Sequence, residues 1–140
     1  MTAGADWTLE QLEAGIEAGF EHTVSEAEID TFASLSGDRN PLHCDAAYAR
    51  ASGFRDRVAH GALLGALVSR LIGMELPGRR SLLLGQRLDF VAPTYPGDTL
   101  RVRGWVDSVH QEQRTVALRL SITCGAEIRV RGSALVRVSP

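Results

Sequence analysis

The chain has 140 residues, 44% of them hydrophobic and 23% charged, with a formal net charge of −2. That length supports one domain with a real core, and the composition is that of an ordinary globular protein. The balance of charge and the scattered arginines give no footprint for nucleic acid or for a membrane surface.

Residues 1–18 read as a weakly structured lead-in. They carry acidic residues and no apolar run, so no signal peptide is expected and a cytoplasmic protein is the default. Phe20–Val24 suits a short strand. Ser25-Glu26-Ala27-Glu28 predicts a capping box, with Ser25 accepting the N–H of residue 28 and Glu28 reaching back to the N–H of residue 25. Val24 and Ile29 stand at the staple positions, Ile29, Phe32 and Ala33 form an apolar stripe, and Gly37 closes the helix. Asp38 then follows a helix C-terminus. Pro41 breaks any helix running through the segment. Asp45 predicts the N-cap of a short helix, Ala46–Ala51, ended by Gly53. His43 is thus held between two helices.

His60–Leu76 is helical in period and apolar nearly all round, the pattern of a buried central helix. Ser69, Arg70 and Glu75 argue against a transmembrane span. Ala62, Gly65, Ala66, Ser69 and Gly73 share a small-residue face, read as tight packing on a sheet except near the helix start, where it suits a ligand. Pro77-Gly78 ends the helix.

The hydrophobic period then changes to 2. Leu82, Leu84, Gln86, Leu88 and Phe90 alternate. So do Leu100 to Val106, Val116 to Ile122, and Ile128 to Val138, with turn residues between the runs. The connections are too short for parallel crossovers, so the sheet is antiparallel, with one face buried. The expected class is α+β: a hot-dog fold, an antiparallel sheet wrapped around one long helix. Its unpaired edges favour dimerisation edge to edge.

Ser36-Gly37-Asp38-Arg39-Asn40-Pro41-Leu42-His43 sets a carboxylate and an imidazole five positions apart across a proline. Both can accept hydrogen bonds near neutral pH, so together they can hold and orient one water for acid–base work. The start of the central helix, His60-Gly61-Ala62, offers free N–H groups and the positive end of the helix dipole to a developing oxyanion. Asn40 is expected to brace the turn and His60 to support the site. Cys44 and Cys124 lack CxxC spacing and read as small buried apolar residues. His43-Cys44-Asp45 has metal-ligand residue types, but adjacent side chains rarely aim at one ion, and no metal is expected.

Gly37-Asp38-Arg39-Asn40-Pro41-Leu42-His43, Asp45, Tyr48-Ala49, Gly53-Phe54 and Val58-Ala59-His60-Gly61 resemble the hydratase signature of the MaoC-like (R)-specific enoyl-CoA hydratases. The similarity continues through Leu84-Gly85, Leu88-Asp89-Phe90 and Pro96-Gly97-Asp98-Thr99-Leu100, and covers nearly the whole chain from residue 20. The resemblance implies one hot-dog domain over residues 1–140, forming a homodimer, with residues 25–58 as an overhang above the active site and 60–76 as the central helix. It implies Asp38 and His43 as the catalytic pair. The substrate would be a trans-2-enoyl thioester of coenzyme A or acyl carrier protein, giving an (R)-3-hydroxyacyl product without metal or redox cofactor. One departure stands out. Similar short-chain members often carry a serine where Ala66 aligns, thought to position the aspartate, and Ser69 lies one turn on. Fold alone leaves rivals: an acyl-thioesterase, or a non-catalytic acyl-thioester-binding or partner subunit.

Overall fold

In the computed structural model, which describes residues 3–140, the period-2 segments pair into one antiparallel five-stranded sheet. Its strands are β1 (Glu17–Thr23), β2 (Ser81–Phe90), β3 (Thr99–His110), β4 (Thr115–Cys124) and β5 (Glu127–Val138), in the order β1-β3-β4-β5-β2. Four helices accompany them: α1 (Glu26–Ser36), α2 (Pro41–Cys44), α3 (Ala46–Ala51) and α4 (Gly61–Arg70). A π-helical turn, Leu71–Glu75, extends α4, so the helix expected over 60–76 is present with a looser last turn.

The sheet curls around α4 because both bring apolar stripes to one core. Leu63, Leu64, Leu67 and Val68 of α4, with Leu71 and Ile72 beyond, meet Leu100, Val102 and Val106 of β3, Val116 to Ile122 of β4 and Val130 to Val138 of β5. Each such aliphatic side chain stabilises the fold by about 1.5–3 kcal/mol on burial. Gly104 makes room for the helix: a Cβ there would lie 2.7 Å from Leu71 Cδ2. This is the α+β hot-dog arrangement that the two periodicities predict.

Several local expectations are corrected. The lead-in is not weakly structured: a 3₁₀ turn at Leu9–Gln11 buries Leu9 and Leu12 in the core, and Asp6 bridges to Gly78. Met1 and Thr2 lie outside the described residues. The first strand begins at Glu17 rather than Phe20. Ser25 Oγ accepts from the Glu28 N–H at 3.1 Å, as expected, but Glu28 answers the Ser25 hydroxyl and His22 Nε2 instead of the Ser25 N–H. In β2 a bulge between Leu83 and Gly85 shifts the phase, so Leu83, opposite buried Val136, takes the inner face in place of Leu82. The small-residue face of α4 does not pack on the sheet along its length. Ala62, Ala66 and Ser69 are exposed, while Gly61 and Gly65 lie against β2. Cys44 is exposed and Cys124 only half-buried, so neither is a fully buried apolar residue.

The helical segment over 25–58 is braced within itself and joined to this frame at its end by specific hydrogen bonds. Buried Arg57 donates to Asp30 at 2.7 Å and to the Glu26 carbonyl at 3.3 Å. The hydrogen bond to Asp30 raises the Arg57 pKa above its ordinary value against the cost of burial. The Val58 N–H donates to the Leu42 carbonyl at 3.1 Å, and the Ala59 N–H to the Thr94 carbonyl at 2.8 Å. Among the described residues no helix is long and apolar enough to cross a membrane.

Candidate active site

Gly37 ends α1 with φ 79°, a left-handed conformation that glycine adopts without strain. The chain turns there, and the Asn40 N–H donates to Asp38 Oδ1 at 3.2 Å. Asn40 Oδ1 in turn accepts the Leu42 N–H at 3.0 Å and caps α2, with Pro41 at the helix start. Proline is compatible with a first helical turn, because its missing N–H would have no partner there. His43 therefore stands on a one-turn helix rather than in an open loop. Asn40 thus ties the Asp38 carboxylate, through its own N–H, to the turn that carries His43.

His43 Nδ1 lies 2.6 Å from the Val58 carbonyl. A carbonyl only accepts, so Nδ1 carries the proton, and Nε2 of the neutral ring is left as an acceptor. That Nε2 lies 3.8 Å from Asp38 Oδ2. The gap is too long for a direct hydrogen bond and short enough for one water to bridge. The Asp38 side chain is half exposed, at 51%, and His43 is mostly covered, at 14%.

His60 joins the pair to the core. It is buried, it precedes α4 as the N-cap residue, and its Nε2–H donates to the Asp38 carbonyl at 3.0 Å. Its ring stacks on His43 with centroids 3.9 Å apart and packs against Phe32 at 4.8 Å on the other side. His60 Nδ1 is buried without a hydrogen-bond partner among the described residues. His60 thus anchors the Asp38 backbone and stacks behind the His43 ring.

Asp38, His43 and His60 bring three donor atoms within 4.8 Å of one another, a cluster that the adjacent His43-Cys44-Asp45 triplet does not make. Asp45 Oδ1 instead accepts the Tyr48 N–H and caps α3. The His43 and His60 rings are inclined by only 28°, so their in-plane lone pairs run side by side. A tetrahedral metal site needs them to converge. His43 Nδ1 and His60 Nε2 are also engaged by carbonyl groups.

A cavity of about 330 Å³ opens beside His43, lined also by Val58, Gly61, Leu64, Phe90 and Thr94. Gly61 is the first residue of α4, where an N–H has no partner within the helix and the dipole is positive. Ala62 does not line this cavity. It lies on the exposed face, because one residue along a helix turns the side chain about 100°. Ala66 borders a different, apolar groove with Phe32, Leu35 and Leu63.

Two features were not found from the sequence. The Val58 carbonyl sets the His43 tautomer, and a backbone group leaves no residue signal. Pro96-Gly97-Asp98 reads as a turn, yet Asp98 is a buried carboxylate. It accepts from Arg129 Nη1 at 2.7 Å, Arg55 Nη2 at 2.8 Å and the Tyr95 N–H at 2.9 Å. Arg129 also donates to the Pro93 carbonyl at 2.9 Å. The network ties residues 93–98, of which Pro93 and Thr94 line the cavity, to β5 and to the 25–58 segment. Burial alone would raise the Asp98 carboxyl. The Arg129 hydrogen bond, the Tyr95 N–H and the charges of Arg129 and Arg55 outweigh it and hold the carboxyl below its usual range.

Known proteins resemble this chain in sequence and in fold. Residues 10–124 match the family model described as a MaoC like domain. The (R)-specific enoyl-CoA hydratase of Aeromonas caviae is 37% identical over 130 residues, which span 92% of this chain and 97% of that protein. The 3-hydroxybutyryl-CoA dehydratase of Methylorubrum extorquens is 34% identical over 129 residues, 92% of this chain and 82% of that protein. Among solved structures, an (R)-hydratase from A. caviae involved in PHA biosynthesis superposes with a TM-score of 0.89 at 37% identity, covering 93% of this chain and 99% of the other.

Proposed function

The chain belongs to the MaoC-like family, and from that premise we propose that it is a hydro-lyase that adds water reversibly to trans-2-enoyl thioesters, giving (R)-3-hydroxyacyl thioesters. The relatives' names describe the two directions of one such reaction, hydration and dehydration. The observation that carries the proposal is the pairing of His43 Nε2 with Asp38 Oδ2 at 3.8 Å, with His43 Nδ1 bonded to the Val58 carbonyl. Two acceptors so placed take both hydrogens of one water and aim its oxygen lone pair into the cavity.

In the forward reaction the water oxygen bonds to the β-carbon and one water proton passes to the dyad. The π electrons move onto the thioester oxygen as an enolate. A proton then returns to the α-carbon and the enolate collapses to the thioester. The Gly61 N–H, at the positive end of α4, stabilises that enolate. Acid–base assistance of this kind contributes roughly 10²–10⁴ in rate. No step draws on a metal or redox group. The acyl carrier is coenzyme A, as in the relatives' names, with acyl carrier protein as the alternative.

The protein acts as a homodimer in this reading. β2 is an edge strand with one unpaired side, and exposed Leu82, Leu83 and Leu84 lie along it beside the exposed small face of α4. A second copy pairing edge to edge covers both. A cytoplasmic location completes the reading.

The test follows crotonyl-CoA absorbance together with free thiol. Absorbance is expected to fall without thiol release, and Asp38→Asn and His43→Ala are each expected to abolish the change while circular dichroism stays native. Thiol release would make the protein a thioesterase instead. Full activity in either variant would sink the assignment.

A further inference from the structure

Phe90 is an apolar residue that the core does not use. It ends β2 on the inner face, opposite Val130, yet its ring is 53% exposed. The ring lies instead against the first turn of α4. A Cβ added to Gly61 would stand 3.0, 3.1 and 3.2 Å from three carbons of the ring edge, so the ring rests directly on the glycine backbone. Phe90 borders the cavity beside His43, together with Val58 and Ala59.

The seam between α4 and β2 continues past this ring. The next residue facing β2, one turn on, is Gly65. A Cβ there would meet only Gln86 Nε2 and Leu88 Cδ1, both at 3.7 Å. The seam is therefore bordered by two glycines, and Phe90 occupies the cavity end of it. Leu64 closes the cavity floor on the helix side.

We propose that Phe90 sets the acyl-chain length this protein accepts. The inference rests on the enoyl-thioester reading given above. The Asp38–His43 pair and the Gly61 N–H hold the reacting end of the acyl group in a cavity that Phe90 also lines, so a tail that lengthens within it comes against the ring. A four-carbon acyl group ends before it. An eight-carbon group must displace the ring or leave the cavity. Removing the ring opens the Gly61–Gly65 seam, whose Leu88 side is apolar, to a longer tail.

The experiment compares kcat/KM for crotonyl-CoA and trans-2-octenoyl-CoA in wild type, Phe90→Ala and Phe90→Leu, with circular dichroism to confirm folding. Wild type is expected to prefer the four-carbon substrate. Phe90→Ala is expected to move the ratio toward the eight-carbon substrate by about tenfold or more, the least that one methylene contact changes in an apolar pocket. Phe90→Leu should fall between. A ratio within twofold of wild type in a folded variant overturns the proposal. Should wild type turn over neither substrate, the enoyl-hydratase reading fails separately. The ratio of butyryl-CoA to octanoyl-CoA dissociation constants, measured by calorimetry, then decides on Phe90: a tenfold shift supports its role, and no shift or no binding overturns it.

Discussion

Replacing Asp98 by alanine should cost the fold about 3–5 kcal/mol, the usual loss when one partner of a buried ion pair is removed. The reason is geometric. Asp98 and Arg129 have side chains only 10% and 9% exposed, and the Asp98 carboxylate takes three donors, from Arg129, Arg55 and the Tyr95 backbone. Alanine leaves the buried Arg129 guanidinium beside the Pro93 carbonyl with only the exposed Glu127 carboxylate as a counter-charge. The expected fall in melting temperature is roughly 10–20 °C for a domain of this size. Denaturation in urea gives the free energy directly. A second variant, Asp98→Ala combined with Arg129→Met, removes the stranded charge and should recover part of the loss. Acid supplies an independent arm. The folded Asp98 pKa is held below its unfolded value, so its ionic contribution is complete above about pH 4, the unfolded pKa, and is lost as pH falls through the folded one. The gap between wild type and Asp98→Ala should therefore narrow below about pH 4. A gap under about 1 kcal/mol at pH 7, or one that widens in acid, refutes the argument that this carboxylate is a structural counter-charge.

Three further outcomes follow from other parts of the molecule. Leu9→Ala should destabilise by about 2–5 kcal/mol in urea denaturation, because Leu9 is fully buried, whereas a weakly structured lead-in would give almost nothing. His60→Ala should lower kcat about tenfold or more with a smaller effect on KM, measured on crotonyl-CoA, since it removes the ring behind His43 and the donor to the Asp38 carbonyl without touching the cavity wall. Leu84→Lys, a charge on the free edge of β2, should convert a sedimenting dimer to a monomer; an unchanged dimer places the interface elsewhere.

The fold was legible because its information is periodic. The change from a 3.6-residue to a 2-residue period marks where α4 gives way to the sheet, and the caps Ser25, Gly37 and Asp45 mark the ends of short helices by their own chemistry. What escaped is information that periodicity does not carry. A one-residue bulge moves Leu83 to the inner face and leaves no trace in the residue types. The burial of Leu9 depends on where the sheet end lies, a long-range fact. Cys44 is exposed because it follows His43 on a single helical turn whose inner side is taken by the imidazole. Within the site, Asp38, Asn40, His43, His60 and Gly61 were visible as side chains or as the lack of one. The Val58 carbonyl that orients His43 was not, because any residue there presents the same group.

His60 explains why the site needs both halves of that motif pair. Gly61, the candidate oxyanion donor, sits on the central helix, while Asp38 and His43 sit on a separate segment that follows α1. Effective acid–base work requires the water and the enolate donor to keep a fixed relation, since small displacements of reacting groups are costly in rate. The residue immediately before Gly61 supplies the link. By donating to the Asp38 carbonyl and stacking on His43, His60 references the dyad to the start of α4 instead of to the rest of the 25–58 segment. The Ala59 N–H, bonded to the Thr94 carbonyl, ties the same point to the opposite wall. Three consecutive residues, Ala59, His60 and Gly61, thus connect the cavity wall, the Asp38–His43 pair and the start of α4 through backbone and ring contacts.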